Sequence, residues 1–514
     1  LNTANYDGNG LNVAVGYGAG SAVSTGTNNT LIGGLAGDSL TSGAHNVAVG
    51  YNTLATENAH GRNIAIGTNA LTTLDAGADA YNIAIGHNAG LSVTTGTSNT
   101  LIGGLSGDAL TTGFANVAIG YQASGAATIA NNNIAIGSDA LHDNVAGDRN
   151  VAIGSEALEK MTQATTTDTY NVAVGYNAGK QVTTGVQNTL IGGLSGDALT
   201  TGSYNTAVGY LALSTEDAHG YNTAIGREAL KNLNAGADAG NVAVGMQAGA
   251  EMTTGRYNNI LGTYAGDALT TGWSNVAIGY LALSAEDTGS DAIAIGRGAL
   301  AAQNYNDSSH NIAIGRDAGT NVTTGIENVI IGGLTGDALT TGQYNVALGT
   351  NALGAEDTGS RNTAIGHAAL SSLNYDGTGY NTAVGFWAGL SLTTGAYNTV
   401  IGGLAGDALT TGAGNVAIGY LALSTEDSGG TNVAVGHSAL KDQDAGDAYN
   451  TALGYHAGKA VSTGTLNTLI GGLSGDALTV GNSNVAMGYQ SLTSETQGDR
   501  NVAIGFGTLS KQHV

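Results

Sequence analysis

One short text returns at near-constant spacing along the whole chain, and each copy has a glycine at its fifth position. The element Asn-x-Ala-(Val/Ile)-Gly, with close relatives, begins at Asn12, Asn29, Asn46 and Asn63 and recurs to Asn501, 29 copies in all. An array of helices cannot carry this pattern. A glycine in each helix interior would cost about 1 kcal/mol and interrupt any apolar stripe. The residues before the glycine are Val, Ile, Thr, Leu and Ala, which suit a strand. A second short segment, such as Val182-Thr183-Thr184, ends at another glycine and reads as a second strand. Two strands and two turns between one Asn and the next describe one coil of a parallel β-solenoid, in which each coil bonds to those above and below. The chain has no Pro, so every backbone N–H can enter such a ladder.

The short repeat is nested in a longer one. Four consecutive copies have distinct texts, and the set starts again at Asn171, Asn241, Asn311 and Asn381. Super-repeats begin at 12, 82, 171, 241, 311, 381 and 450, and the second holds an additional, longer copy from Asn150. The expected organisation is a partial coil over 1–11 followed by one continuous solenoid over 12–514. At the strand spacing, 29 coils would make a rod of about 140 Å.

In the first strand of a copy, positions two and four are usually β-branched and position three is usually Ala, so both strand faces are apolar. One face can fill the thin interior of the coil, and the other needs a partner. The alanine row, with Ala14, Ala48, Ala65, Ala118 and Ala135 as candidates, is the expected contact between chains. Small side chains let equivalent rods approach around a common axis as a homo-oligomer, with a cyclic trimer as the expected state. Asn opens 28 of the 29 copies, the exception being Ala292, and Gly is fifth in all of them. Asn12, Asn29, Asn46 and Asn63 with Gly16, Gly33, Gly50 and Gly67 are therefore read as a structural corner ladder. A stacked Asn can bond turn backbone and the next Asn, and Gly permits the turn.

Asn133-Ile134-Ala135-Ile136-Gly137 and Asn150-Val151-Ala152-Ile153-Gly154 resemble the YadA-like head repeats of trimeric autotransporter adhesins. Asn381-Thr382-Ala383-Val384-Gly385 is similar to the repeats of phage tail fibres and other surface fibres. The resemblance implies a left-handed β-roll, three chains around one axis, and a place at an extracellular, cell or virion surface.

Charge narrows the partners. With 14 basic and 38 acidic residues the net charge is −24, which repels phosphate backbones and anionic headgroups, so neither nucleic acid nor a membrane surface is expected to bind. No run of about 18 apolar residues suggests a membrane span. Without Cys there is no disulfide framework and no thiolate metal site. No nucleophile elbow, phosphate loop or His-Glu-x-x-His pattern stands out, so no enzyme is expected.

Acidic residues recur in register. Each second copy carries Gly-Asp, at Asp38, Asp108, Asp197, Asp267, Asp337, Asp407 and Asp476, and third copies often carry Glu-Asp, as at Glu216/Asp217. Members of one series lie four coils, roughly 19 Å, apart, too far to pair for acid–base catalysis. These groups read as turn caps or solvated charges. Lengthened corners gather more oxygen ligands, and Asp75, Asp79, Asp442, Asp444 and Asp447 are the candidates for calcium. The ten His residues read as surface groups. Threonine pairs such as Thr183-Thr184 are interrupted in two of every four coils, which argues against a flat ice-binding array. Tyr51, Tyr121, Tyr210, Tyr280, Tyr420, Trp273 and Trp387 could contact a glycan or receptor, although packing at the corners is favoured. The expected function is a structural fibre or filament subunit with itself as partner. The alternative is an adhesive or tail fibre binding a receptor or glycan, and a calcium-binding surface module ranks third. Both ends, at Leu1–Gly10 and Leu509–Val514, are expected to abut further protein.

Overall fold

Positions 2 to 4 of each coil, counted from its Asn, form a three-residue strand, from Val13–Val15 to Val502–Ile504. The structure, a computed structural model, describes residues 10–511, and no helix occurs among them. Residues 1–9 of the expected partial coil, and 512–514 at the other end, lie outside the described residues. The chain divides into two compact units, Leu1–Tyr257 and Asn258–Val514. Fourteen of these strands lie in the first unit and fifteen in the second. Within a unit, successive strands pair in parallel without slippage: Val172, Ala173 and Val174 face Thr189, Leu190 and Ile191 of the next coil. The protein is an all-β parallel solenoid whose coils follow the sequence repeat.

The expected second strand does not form. Thr183 N–H donates to the Thr200 carbonyl at 2.8 Å, Gly185 N–H donates to the same oxygen at 3.3 Å, and Thr183 Oγ1 does so at 3.1 Å. Three donors converging on one carbonyl tie two coils together but cannot propagate a ladder. The chain bends at Thr183 and Thr184 themselves, directly after the buried Val182, so the segment does not lie extended. At the longest coil there is one further two-residue pairing, Gly147–Asp148 with Thr167–Asp168.

The interior is one side chain thick. Positions 1, 3, 8 and 12 point inward, as in Asn171, Ala173, Ala178 and Val182, all fully buried. Volume alternation explains why four coils, rather than one, make the repeat. In the second coil of a set, position 3 is large, Leu190, and its room comes from glycines at position 9 of two adjacent coils. A Cβ on Gly179 would come within 2.6 Å of Leu190 Cδ1, and one on Gly196 within 2.8 Å of Cδ2. The third and fourth coils reverse the arrangement, with Ala207 and Ala224 at position 3 and buried Leu213 and Leu230 at position 9. Each buried Leu contributes about 1.5–3 kcal/mol, and the pattern keeps density even along the stack.

The expected role of the alanine row is corrected here. Ala48, Ala65, Ala118 and Ala135 are wholly buried, and Ala14 is part-buried in the first described coil, so the alanine row lines the interior of its own chain and is no contact between chains. Strand alternation leaves no choice: Asn at position 1 points inward to bond buried backbone, so position 3 does too, while positions 2 and 4 face out. The backbone adds a feature of its own. Left-handed φ occurs at positions 7, 9 and 17 and is not reserved for Asn and Gly. Asn177 has φ 55°, Leu213 52° and Tyr204 62°. Such residues cost of order 1 kcal/mol each, and the buried Leu at position 9 offsets that cost with its packing.

Candidate functional site

Three arrangements concentrate polar or exposed apolar groups: the Asn ladder, the outward sheet face and the acidic corners.

In the ladder, Asn188 Oδ1 accepts from the backbone N–H of Asn205 at 2.9 Å, and Asn188 Nδ2 donates to the Gly202 carbonyl at 2.9 Å and to Asn171 Oδ1 at 3.2 Å. The same bond runs from Asn29 to Asn12 at 2.8 Å, from Asn46 to Asn29 at 2.9 Å and from Asn63 to Asn46 at 3.1 Å. These amides are buried from Asn29 to Asn484, so they satisfy backbone groups that water cannot reach. Ala292 interrupts the ladder. Asn311 N–H then has Ser309 Oγ at 3.5 Å, and the buried Gln303 Oε1 takes up Asn311 Nδ2 at 2.9 Å. The glycine column beside the ladder is sterically enforced: at Gly16, Gly33, Gly50 and Gly67, φ lies between 130° and 143°, and a Cβ would stand 2.1–2.5 Å from the carbonyl oxygen of the next glycine. The Asn column is internal, whereas the glycine column lies nearer the surface, with Gly33, Gly50 and Gly67 part-exposed.

The outward face is built from positions 2 and 4, with position 6 along one margin and the last residue of each coil along the other. Ile191, Ile225, Leu261, Ile314 and Leu348 are each more than a third exposed. Aromatic side chains border them. Tyr204 stacks on Tyr221 with centroids 5.0 Å apart and planes at 13°, and Tyr380 stacks on Tyr397 at 5.8 Å. On the other margin His367 stacks on Phe386 and Tyr489 on Phe506. Stacking of this kind turns one face of each ring toward a neighbouring coil. Tyr51, Tyr121, Tyr210 and Trp273 are exposed, whereas Trp387 is stacked on Phe386 at 4.7 Å.

Charge is sorted around this face. Seven of the eight arginines, Arg62, Arg149, Arg227, Arg297, Arg316, Arg361 and Arg500, occupy the two margins, and only Asp291 and Glu327 among the 38 acidic residues do so. Arg361 lies over both Tyr344 and Tyr380, at 5.2 and 5.7 Å. Four of the margin arginines, Arg62, Arg149, Arg227 and Arg297, pair with Asp79, Asp168, Glu228 and Asp317, and most of the remaining acidic residues are placed farther from the sheet face.

At the corners, Glu57 and the Glu of the Glu-Asp pairs stand at position 12, where most other coils carry Val, Leu or Met and a few carry an amide, Asn144, Gln303 or Gln443. Glu57, Glu216, Glu286, Glu356 and Glu426 are fully buried. Their role is capping: Glu356 accepts from Gly359 N–H at 2.6 Å and, across the coils, from Tyr375 N–H at 3.3 Å. Burial pushes the carboxyls of Glu286, Glu356 and Glu426 above the usual range, against those backbone hydrogen bonds. Of the two roles expected for these groups, the cap is right for the Glu and the solvated charge is not. Aligning the copies by position exposes the signal, since a carboxylate in a column that is mostly Val, Leu and Met faces inward with them. The Gly-Asp series is half-buried, and desolvation likewise raises Asp108, Asp197, Asp337 and Asp407.

The five calcium candidates do not converge. Asp79 is engaged by Arg62 Nε at 2.7 Å and by Gly61 N–H at 3.1 Å, Asp447 accepts from Gly430 N–H at 2.9 Å, and Asp442 faces Lys441 at 3.5 Å. Asp75 and Asp444 instead join the buried Glu of the preceding coil, in the groups Glu57–His60–Asp75 and Glu426–Asp427–Asp444. No helix long and apolar enough to cross a membrane occurs among the described residues. No protein-family model matches the chain, and the search of curated proteins finds no match either.

Proposed function

We propose that the protein is a non-catalytic structural subunit, an extracellular fibre or filament element that associates with copies of itself through the outward sheet face. The observation that carries this reading is the sorting of the surface. A stripe of Val, Ile and Thr follows the strands of each unit, bordered by stacked rings and arginines, while nearly all carboxylates lie elsewhere. A net charge of −24 opposes association of like chains, so a nearly acid-free apolar stripe is the surface on which they can meet. Fifteen coils at the strand spacing and a face about 14 Å wide present roughly 1,000 Å², comparable with one side of a stable interface. A trimer is the expected closed form.

The test is mass in solution by light scattering, with small-angle scattering for shape. The wild-type chain is expected as an oligomer, and Ile191→Asp with Val208→Asp, both outward at position 4, should release monomers with unchanged circular dichroism. A monomeric wild type at micromolar concentration would overturn the reading. Receptor or glycan attachment is the second reading, favoured by the similarity of the repeats to adhesin and tail-fibre sequences. A glycan array with no signal would remove it.

A further inference from the structure

We propose that two corners of the first unit, Glu57–His60 with Asp75 and Glu216–His219 with Asp217, are sites for a divalent cation that takes mixed imidazole and carboxylate ligands, with zinc as the best fit. The shared motif is Glu-x-x-His at positions 12 and 15 of a third coil. Glu57 is fully buried, and its Oε1 is fixed by His60 N–H at 3.0 Å. The same bond in the second corner, from His219 N–H to Glu216 Oε1, is 3.1 Å, and Ala235 N–H holds Oε2 at 3.2 Å. Each carboxylate is thus immobilised by backbone donors while retaining lone pairs toward the imidazole.

His60 supplies the independent observation. Its Nδ1 is sequestered from solvent and has no hydrogen-bond partner, yet it faces Glu57 Oε1 at 3.5 Å, and His219 Nδ1 stands 3.3 Å from Glu216 Oε1. Donors bound at about 2.1 Å to a tetrahedral zinc are separated by about 3.4 Å, so both pairs already have the spacing of two ligands on one ion. A third ligand comes by different routes. Asp75 reaches the first corner from the next coil, and Asp217 reaches the second from within its own coil, each group keeping its donor atoms within 4.8 Å of one another. Three protein ligands leave one position for water. Calcium fits poorly, because it needs six to eight oxygens and does not favour an imidazole nitrogen. The third group, Glu426–Asp427–Asp444, contains only carboxylates and serves as an internal comparison.

The experiment is equilibrium dialysis of the full chain against zinc chloride, with bound metal measured by elemental analysis. Two ions per chain are expected, unaffected by excess calcium. His60→Asn and His219→Asn should each remove one, and the double variant both, with zinc retention at least tenfold weaker at the altered corner. The part-exposed imidazoles make these variants safe for the fold, which circular dichroism of the metal-free proteins would confirm. Cobalt bound to the wild-type chain gives a second readout, with intense visible bands expected for four-coordinate geometry. Undiminished zinc in the double variant, pale octahedral cobalt, or no zinc retained at micromolar concentration would each overturn the proposal.

Discussion

Replacing Asn188 by Ala tests the ladder at one rung. The side chain satisfies two buried backbone groups, the Asn205 N–H and the Gly202 carbonyl, both at 2.9 Å. Removing it leaves both unpaired away from water, at about 1–3 kcal/mol each, so the coil should lose about 2–6 kcal/mol. A solenoid bears such a loss locally, because each coil contacts only its neighbours. Hydrogen exchange followed by mass spectrometry should show faster opening in peptides spanning 186–206, by roughly 30-fold at the lower bound, with peptides several coils away unchanged. Asn188→Asp separates hydrogen bonding from shape. The carboxylate keeps Oδ1 as an acceptor but sets its other oxygen against the Gly202 carbonyl and Asn171 Oδ1. Burial raises the pKa of that Asp, so the variant should be destabilised at neutral pH and regain stability as pH falls through the raised value, when a protonated oxygen can again donate. The wild type holds a control: Asn311 N–H, facing Ala292 and left with Ser309 Oγ at 3.5 Å, should exchange faster than Asn328 N–H, which Asn311 Oδ1 accepts at 2.9 Å. If Asn188→Ala exchanged no faster than the exposed Gln187→Ala, the ladder would not hold the coils as described.

Adjacent glycines should respond oppositely: Gly332→Ala, with φ 136° and a Cβ 2.6 Å from Thr335 Oγ1, should lower the denaturation midpoint sharply, whereas Gly333→Ala, with open space around it, should leave the midpoint unchanged. Ala115→Gly, at φ 56°, should raise thermal stability by up to about 1 kcal/mol by relieving left-handed strain, and a lower melting temperature would count against that account. Glu356→Gln should cost about 1–3 kcal/mol in chemical denaturation, because an amide nitrogen would face a backbone donor. The raised carboxyls of Glu286, Glu356 and Glu426, with Asp197 and Asp407, bind protons more readily in the folded chain than in the unfolded one. Stability should therefore rise as pH falls from neutral through their folded values and be complete below the ordinary carboxylate range, which melting temperature against pH would reveal.

The repeat alone determined the solenoid. A glycine at the fifth position of every copy forbids helices, β-branched residues before it make a strand, and an Asn at each start makes a stackable corner, all local consequences of backbone geometry. It also showed that the strand has two apolar faces. Which face is inside was decided by the tertiary structure: the interior is only one side chain thick, Asn188 must reach Gly202 within it, and alternation then buries Ala207 and turns Val208 outward. The same confinement admits Glu356 to a largely apolar column, because two backbone N–H groups at the turn await an acceptor there, and it draws Asp75 away from Asp79 toward the carboxylate of another coil. Spacing along a chain measures neighbours within one turn; contacts between turns depend on where the stack sets each coil against the next.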